Sequence, residues 1–368
     1  MRKLLLFFFL GSSFAIQAQN RIRDWGLQPG ILPTGKWNAI TDVKGVKIGH
    51  VTLSKDSVQT GVTAILPHSG NLFQQKVPAA IYIGNGFGKL AGYSQVKELG
   101  NIETPIILTN TLSVAAGLEG LIRHTFSYPE NKNVASVNGV VGETNDGQIN
   151  DIRGLHVKPE HVLAAIQKAD TGKVAEGNVG AGTGTIGFGY KAGIGTSSRK
   201  LPEALGGYTV GVIVQTNFGG VLMVDGLPVG EHLKQHVFSN VLNDSGDGSC
   251  MIVIATDAPV DARNLERMAK RAMLGLARTG GIATNGSGDY VIAFSTYEGN
   301  RIQHNIEQPT AANTLLSNEV ISPLFLATVE ATEEAILNSL TAAKPVKDRR
   351  GRTVPVLDAA IIKKLMKK

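Results

Sequence analysis

A glycine–serine pair opens an apolar run at Asp247-Gly248-Ser249-Cys250-Met251-Ile252-Val253-Ile254, and the residues leading into it from Phe238 are rich in Asn, Asp, Ser and Gly. A Gly-Ser bond joining a polar loop to the first residue of a strand suits a self-cleaving N-terminal nucleophile. Glycine accepts strained φ/ψ values and leaves its carbonyl open to attack. The Ser249 hydroxyl could add to the Gly248 carbonyl, and hydrolysis of the resulting ester would free an α-amine on Ser249. Such an amine titrates at about pKa 7.7–8.0. It can therefore serve as a general base near neutral pH without a histidine. Cys250, next along the strand, points to the opposite face and reads as a buried structural thiol. Taken alone, the same residues also fit an ordinary surface loop before a strand.

Other motifs lead elsewhere or nowhere. Gly182-Thr183-Gly184-Thr185-Ile186-Gly187 has the letters of a dinucleotide fingerprint, but glycines continue through Gly189, Gly193 and Gly195 with no helical pattern after them. That context predicts a glycine-rich loop or an irregular strand pair. His232 and His236 have the i, i+4 spacing of two ligands on one helical face, yet no third ligand is evident, so no metal is expected. No GxxxxGK[ST] loop and no GxSxG elbow occurs.

The elements that must hold such a site are mixed. Ile106 to Leu108, Tyr208 to Gln215, Met251 to Ala255 and Tyr290 to Phe294 read as short buried strands. Asp261 to Arg278, with Leu265, Met268, Ala272 and Leu276 at helical spacing, reads as the clearest helix. Leu112 to His124, Pro159 to Ala169 and Ala331 to Leu340 read as three more, the last opening on Thr332, Glu333 and Glu334. With 368 residues, 42% of them hydrophobic and no obvious linker, one large layered α/β domain is expected. Cys250 is the only cysteine, which excludes an intrachain disulfide and a thiolate metal cluster.

The N-terminus reads as a secretory signal over residues 1–18. Arg2 and Lys3 form its charged region, Leu4 to Leu10 its apolar stretch, and the small residues end at Ala15 or Ala18. A soluble exported protein of the periplasm is expected, with no membrane association once the signal is gone. Losing Arg2 and Lys3 lowers the formal charge from +6 to +4. Most of the remaining excess lies in a C-terminal tail carrying Lys347, Arg349, Arg350, Arg352, Lys363, Lys364, Lys367 and Lys368. No aromatic residues are interleaved there, so it reads as a solvated basic tail and nucleic acid is not an expected partner.

From Arg23 to about Thr296 the chain resembles the DmpA/BapA family of N-terminal-nucleophile aminopeptidases, which includes L-aminopeptidase/D-esterases and β-peptidyl aminopeptidases. The resemblance is carried by Asn38-Ala39-Ile40-Thr41-Asp42-Val43, Gly61-Val62-Thr63-Ala64-Ile65-Leu66-Pro67, Gly142-Glu143-Thr144-Asn145-Asp146-Gly147 and Glu176 to Gly184. It continues through Gly193 to Arg199, Gln215-Thr216-Asn217-Phe218-Gly219, Gly248-Ser249, Ala255 to Pro259 and Gly286-Ser287-Gly288-Asp289. It implies a four-layer αββα sandwich, similar in outline to Ntn hydrolases but differently connected. It also implies a chain cut into residues 19–248 and 249–368, assembled as a homo-oligomer, usually a homotetramer, of αβ units. No cofactor is implied. The expected substrate is a small peptide or aminoacyl amide, with β-amino and small D- or L-amino residues all open.

Residue by residue, the resemblance makes Ser249 the nucleophile and Gly248-Ser249 the cleavage site. Ser287 and Asp289 become the pair orienting nucleophile and amine, on one face of a strand by their i, i+2 spacing. Asn217 becomes the oxyanion donor, Glu143 the acid that holds the substrate's ammonium, and Asn145 a substrate-binding residue where some members carry tyrosine. Singly, each position has a plainer reading. Ser287 fits a turn that Asp289 caps, Asn217 fits a turn before Phe218-Gly219-Gly220, and Glu143 fits a solvated loop acid. A related acyltransferase and a noncatalytic periplasmic binder of small peptides are the other function classes the sequence leaves open.

Overall fold

The computed structural model describes residues 20–239, 248–304 and 310–367. The expected signal segment and residues 240–247 of the loop before Ser249 lie outside the described residues. In chain order the first strands are β1 (Lys47–Lys55), β2 (Val58–Leu66) and β3 (Gln75–Gly86), followed by α1 (Tyr93–Leu99), β4 (Asn101–Ile102) and β5 (Ile106–Asn110). Then come α2 (Val114–Phe126), β6 (Val140–Thr144), α3 (Pro159–Gln167), β7 (Ile186–Gly187), β8 (Tyr190–Lys191), β9 (Ile194–Lys200), β10 (Thr209–Asn217) and α4 (Val229–His232). The remainder is β11 (Gly248–Thr256), α5 (Ala262–Arg278), β12 (Ser287–Ser295), β13 (Ile302–Gln303), α6 (Ser322–Thr341), β14 (Val346–Lys347), β15 (Thr353–Val354) and α7 (Ala359–Met366).

Strand β10 and the paired β11 and β12 are almost wholly apolar and buried along their length, the pattern of strands covered on both faces. They are central in a sheet of order β13-β3-β12-β11-β10-β9, with β4 added to β3. A second sheet has the order β1-β2-β5-β6. Alternation along each strand sends residues into different cores. Val212, Val214, Ile252, Ile254, Val291 and Ala293 pack with Leu265, Met268 and Leu276 of α5 and with Ala331, Leu337 and Leu340 of α6. Ile213, Met251, Val253, Ile292 and Phe294 face Ile65, Ile106, Leu108 and Val140 of the other sheet. On that sheet's outer side, Val62, Ile107 and Val141 meet Leu121 of α2 and Val162 and Ala165 of α3. Three apolar cores thus separate four layers in the order helices, sheet, sheet, helices, and the expected αββα class is what the chain adopts.

Helix α5 starts where its cap predicts, the Asp261 carboxylate accepting the Asn264 amide at 2.9 Å. Helix α6 differs from expectation. It begins nine residues earlier than Ala331, at Ser322 with Pro323 in its first turn, so Thr332, Glu333 and Glu334 lie mid-helix and buried. Those acids are not first-turn charges. Glu334 receives Arg23 and Arg199, and Glu333 receives Arg278.

The glycine-rich stretch forms a 3-10 turn at Gly180–Gly182 and then the β7–β8 ribbon, with no helix after it. A Cβ at Gly182 would lie 2.3 Å from the Ile194 amide nitrogen, so close backbone approach accounts for the glycine there. Helix α4 ends at His232, and His236 lies beyond it with Nδ1 2.8 Å from the Val237 carbonyl, so the two histidines do not share a helical face. No group of three or more metal-ligating side chains is gathered among the described residues. No helix among them is long and apolar enough to cross a membrane.

Candidate active site

Strand β11 starts at Gly248, one residue ahead of Ser249. In the antiparallel pairing with β10, Ser249 stands directly opposite Asn217. Alternation puts Ser249 on the side of Met251 and Val253, facing the other sheet, while Cys250 turns to the helices and is fully buried. Burial pushes the Cys250 thiol well above its ordinary range, with Asp289 adding to the effect, so the thiol stays protonated and inert. A Cβ at position 248 would fall 2.7 Å from the Phe218 Cα, which leaves room only for glycine. The Ser249 hydroxyl donates to the Gly248 carbonyl oxygen at 2.5 Å. The hydroxyl expected to attack therefore lies against the oxygen of the carbonyl whose carbon it would attack.

The Asn217 amide is held at both ends. Its Oδ1 accepts the Ile186 N–H at 3.0 Å and its Nδ2 donates to the Asn145 carbonyl at 3.1 Å. One Nδ2 hydrogen remains uncommitted. Two residues earlier, Gln215 Nε2 donates to the Thr109 carbonyl, the Thr144 hydroxyl and the Ala181 carbonyl, at 3.0, 2.8 and 2.9 Å. That side chain fastens β10 to β5 and β6, and so fixes Asn217 relative to Glu143.

Glu143 is no solvated loop acid. It lies on β6, 2% exposed, with Oε1 accepting the Lys89 amide at 2.8 Å and the Lys89 ammonium 4.0 Å away. Its Oε2 is buried without a partner among the described residues. Burial raises its pKa, and the Lys89 amide and charge oppose the rise. Asn145 is exposed, and its Oδ1 is occupied by the Gly147 amide at 2.9 Å. Its backbone carbonyl, rather than its side chain, makes the contact with Asn217.

Ser287 and Asp289 do share one face of β12, as their spacing predicts, but it is the face of Val291 and Ala293 toward the helices. In the parallel register Ser287 pairs with Gly248, Gly288 with Ser249 and Asp289 with Cys250. Both are 1% exposed, and among the described residues neither the Ser287 hydroxyl nor either Asp289 oxygen completes a hydrogen bond, although Ser287 and the Cys250 amide lie close enough to Asp289 to favour its charged form. Burial lifts Asp289 from 3.8 to about 6, tempered by the nearby Ser287 hydroxyl and Cys250 amide.

These groups meet at a cavity of about 790 Å³ whose wall includes Glu143, Asn145, Asn217, Gly248 and Ser249. Ser287 and Asp289 lie behind it, on the strand paired with that of Ser249. Three contributors were not foreseen from sequence. The segment Phe87-Gly88-Lys89 closes over Glu143, and Asn85 Nδ2 donates to the Thr284 carbonyl at 3.0 Å and to the Ser287 carbonyl, tethering the turn before β12. The third is the turn between β14 and β15, which supplies Asp348 and Arg352 to the cavity wall. The expected solvated tail is therefore structured over this part. Only the glycines of Gly84-Asn85-Gly86-Phe87-Gly88 hinted at a close approach.

The model of peptidase family S58 matches residues 38–354. A beta-peptidyl aminopeptidase of Sphingosinicella microcystinivorans is 40% identical over 95% of this chain and 92% of its own length. Among solved structures, a Burkholderia sp. beta-aminopeptidase is 40% identical with a TM-score of 0.86, covering 94% of this chain and 98% of that one. The L-aminopeptidase D-Ala-esterase/amidase of Ochrobactrum anthropi, described as a prototype for the serine aminopeptidases and a variant of the Ntn hydrolase fold, is 33% identical. Its TM-score is also 0.86, covering 95% of this chain and 98% of that one.

Proposed function

The chain belongs to peptidase family S58 and is a serine aminopeptidase of the N-terminal-nucleophile type, and on that footing we propose that it cuts itself between Gly248 and Ser249 and then works through the new terminus. The observation that carries this reading is the contact of the Ser249 hydroxyl with the Gly248 carbonyl at a cavity wall, directly across from Asn217. In self-cleavage the Ser249 Oγ–carbonyl bond forms as the Gly248–Ser249 amide bond breaks. Water then hydrolyses the ester to a Gly248 carboxylate and leaves a free amine on Ser249.

In turnover that amine takes the hydroxyl proton as Oγ adds to the first peptide carbonyl, and returns it to the leaving amine. The uncommitted Nδ2 hydrogen of Asn217 meets the developing oxyanion. The unpartnered Glu143 Oε2 accepts the substrate's ammonium, which confines cleavage to free N-termini. Ser287 and Asp289, buried one strand away, receive the Ser249 amine and orient it. Asn145 anchors Asn217 through its carbonyl and presents its side-chain amide as the second donor. Water resolves the acyl-enzyme, and a second amine in its place gives aminolysis.

The names of the relatives make β-amino residues the first substrates to try, with small D- and L-residues next. The reading extends to export to the periplasm and to a homo-oligomer of αβ units. Intact mass and N-terminal sequencing of purified protein, beside Ser249→Ala, test it. We expect a fragment beginning Ser249-Cys250-Met251 in the wild type only. A single, uncut, active wild-type chain would overturn the mechanism.

A further inference from the structure

The segment Asp348-Arg349-Arg350-Gly351-Arg352 turns between β14 and β15, and it is built rather than loose. The Asp348 carboxylate, nearly buried, accepts the Arg350 and Arg352 amides at 2.9 and 2.8 Å and the Arg352 Nε at 2.9 Å. The Arg349 amide donates to the Gln148 carbonyl at 3.3 Å, and the Pro355 carbonyl accepts the Lys191 amide at 2.7 Å. The turn is thereby docked on the loop that follows Glu143 and Asn145.

A second hollow of about 420 Å³ opens beside the first, lined by Gln148, Asp348, Arg349, Arg350 and Arg352, and three of these residues also line the active-site cavity. Only Arg352 has its charge answered, by Asp348. The guanidinium groups of Arg349 and Arg350 are exposed and make no hydrogen bond or ion pair with the described residues. Two adjoining hollows that share Gln148, Asp348 and Arg352 thus carry, among the described residues, an unpartnered carboxylate oxygen at Glu143 in one and two unanswered guanidinium groups in the other. A short free peptide has the complementary charges, an ammonium at one end and a carboxylate at the other.

We propose that the Arg349–Arg352 turn binds the C-terminal carboxylate of short peptide substrates, making the enzyme prefer free di-, tri- or tetrapeptides over the same peptides capped as amides. Guanidinium groups suit carboxylates because two parallel N–H donors match two oxygens. The site rests on the aminopeptidase reading and adds to it a specificity for what lies beyond the scissile bond.

The test compares kcat/KM for matched free-acid and C-terminal-amide peptides of two to four residues, using the processed wild type and the Arg349→Gln/Arg350→Gln double variant. Because acid and amide are read on one preparation, their ratio does not depend on how much of a variant folds. We expect the wild type to favour the acid by about tenfold at its best length, the size of one charge-assisted hydrogen bond. The double variant should bring the ratio near one. A wild-type ratio near one, or a ratio the variant leaves unmoved, would overturn the carboxylate site. An aminoacyl p-nitroanilide serves as control. Hydrolysis of it alongside a flat ratio sinks only this inference, whereas no hydrolysis of any substrate removes the aminopeptidase reading beneath it.

Discussion

Two buried polar clusters, one on β9 of the seven-stranded sheet and one spread over its β12 and β6 of the facing sheet, are finished in opposite ways. At β9, the guanidinium of Arg199 is fully buried with every nitrogen engaged: Nε to Glu330 at 2.9 Å, Nη1 to the Ser197 hydroxyl and the Ser198 carbonyl, and Nη2 to the Pro29 carbonyl and Glu334. Glu334 also receives Arg23 through two bonds and Asn38 through one. Burial alone would raise its pKa, yet these partners hold it below the ordinary value. At β12 and at β6 of the facing sheet, by contrast, the side-chain oxygens of Ser287 and Asp289 and the Glu143 Oε2 are buried with no hydrogen bond completed among the described residues. A closed network fixes the N-terminal segment to α6. An open one costs stability and keeps donors and acceptors available for groups that arrive later. The edge strand β9 thus carries a closed network, while the central β12 and the facing β6 keep polar atoms open.

That contrast can be broken from either side. The largest effect after loss of Ser249 itself is expected from Arg199→Met in the uncut Ser249→Ala background. It strands Glu330 and Glu334 in the core and should destabilise the fold by about 3–5 kcal/mol in urea unfolding. In a chain that keeps Ser249 the same change should leave kcat per folded molecule within about twofold, since Arg199 is not among the residues lining the cavity. A large kcat loss there would merge the two clusters into one.

Asn217→Ala should do the reverse in its larger effect, lowering kcat by about 10²–10³-fold while the loss of its two hydrogen bonds costs only about 1–3 kcal/mol of stability. Steady-state kinetics and a thermal melt on one sample decide it.

The smallest effect sharpens the contrast through pH. The Asp289 carboxyl titrates at about 6 in the folded chain against 3.8 ordinarily, burial being the main cause. Between those values the folded state holds the extra proton, so stability falls as pH rises from about 4 to about 6. Above that range the bare carboxylate costs roughly 3 kcal/mol. Asp146 and Glu176, lifted by burial to about 6 and about 7, slope the same way. The difference between Ser249→Ala and Ser249→Ala/Asp289→Asn therefore isolates Asp289, and the double variant should show the flatter profile. Parallel profiles would mean that the Ser287 hydroxyl and the Cys250 amide offset the burial of Asp289 in full.

Much of this was legible in the chain. The runs Tyr208 to Gln215, Met251 to Ala255 and Tyr290 to Phe294 announce buried strands because they are short, apolar and rich in β-branched residues, and Gly248-Ser249 sits where such a strand begins. What was not legible depends on contacts between distant segments. Glu143 reads as a solvated acid until Phe87-Gly88-Lys89 folds over it. Glu333 and Glu334 read as the start of a helix because their arginine partners are 55 residues or more away, and Ser322-Pro323 then escapes notice as the true start. The arginines at 349–352 read as tail charge because the loop holding them, at Gln148, is some two hundred residues earlier.

The strand order has a consequence for the fate of the chain once opened. Residues 249–368 supply β11 and β12, which lie between β3 and β10 from the earlier part of the chain. The two pieces would be interleaved rather than docked, so neither could leave without dismantling the sheet. An uncut chain recovers from unfolding by a first-order process, whereas a cut one must find its other half. Refolding after denaturation would then depend on concentration and slow on dilution, and processing would turn a reversible fold into one whose persistence is set by its unfolding rate.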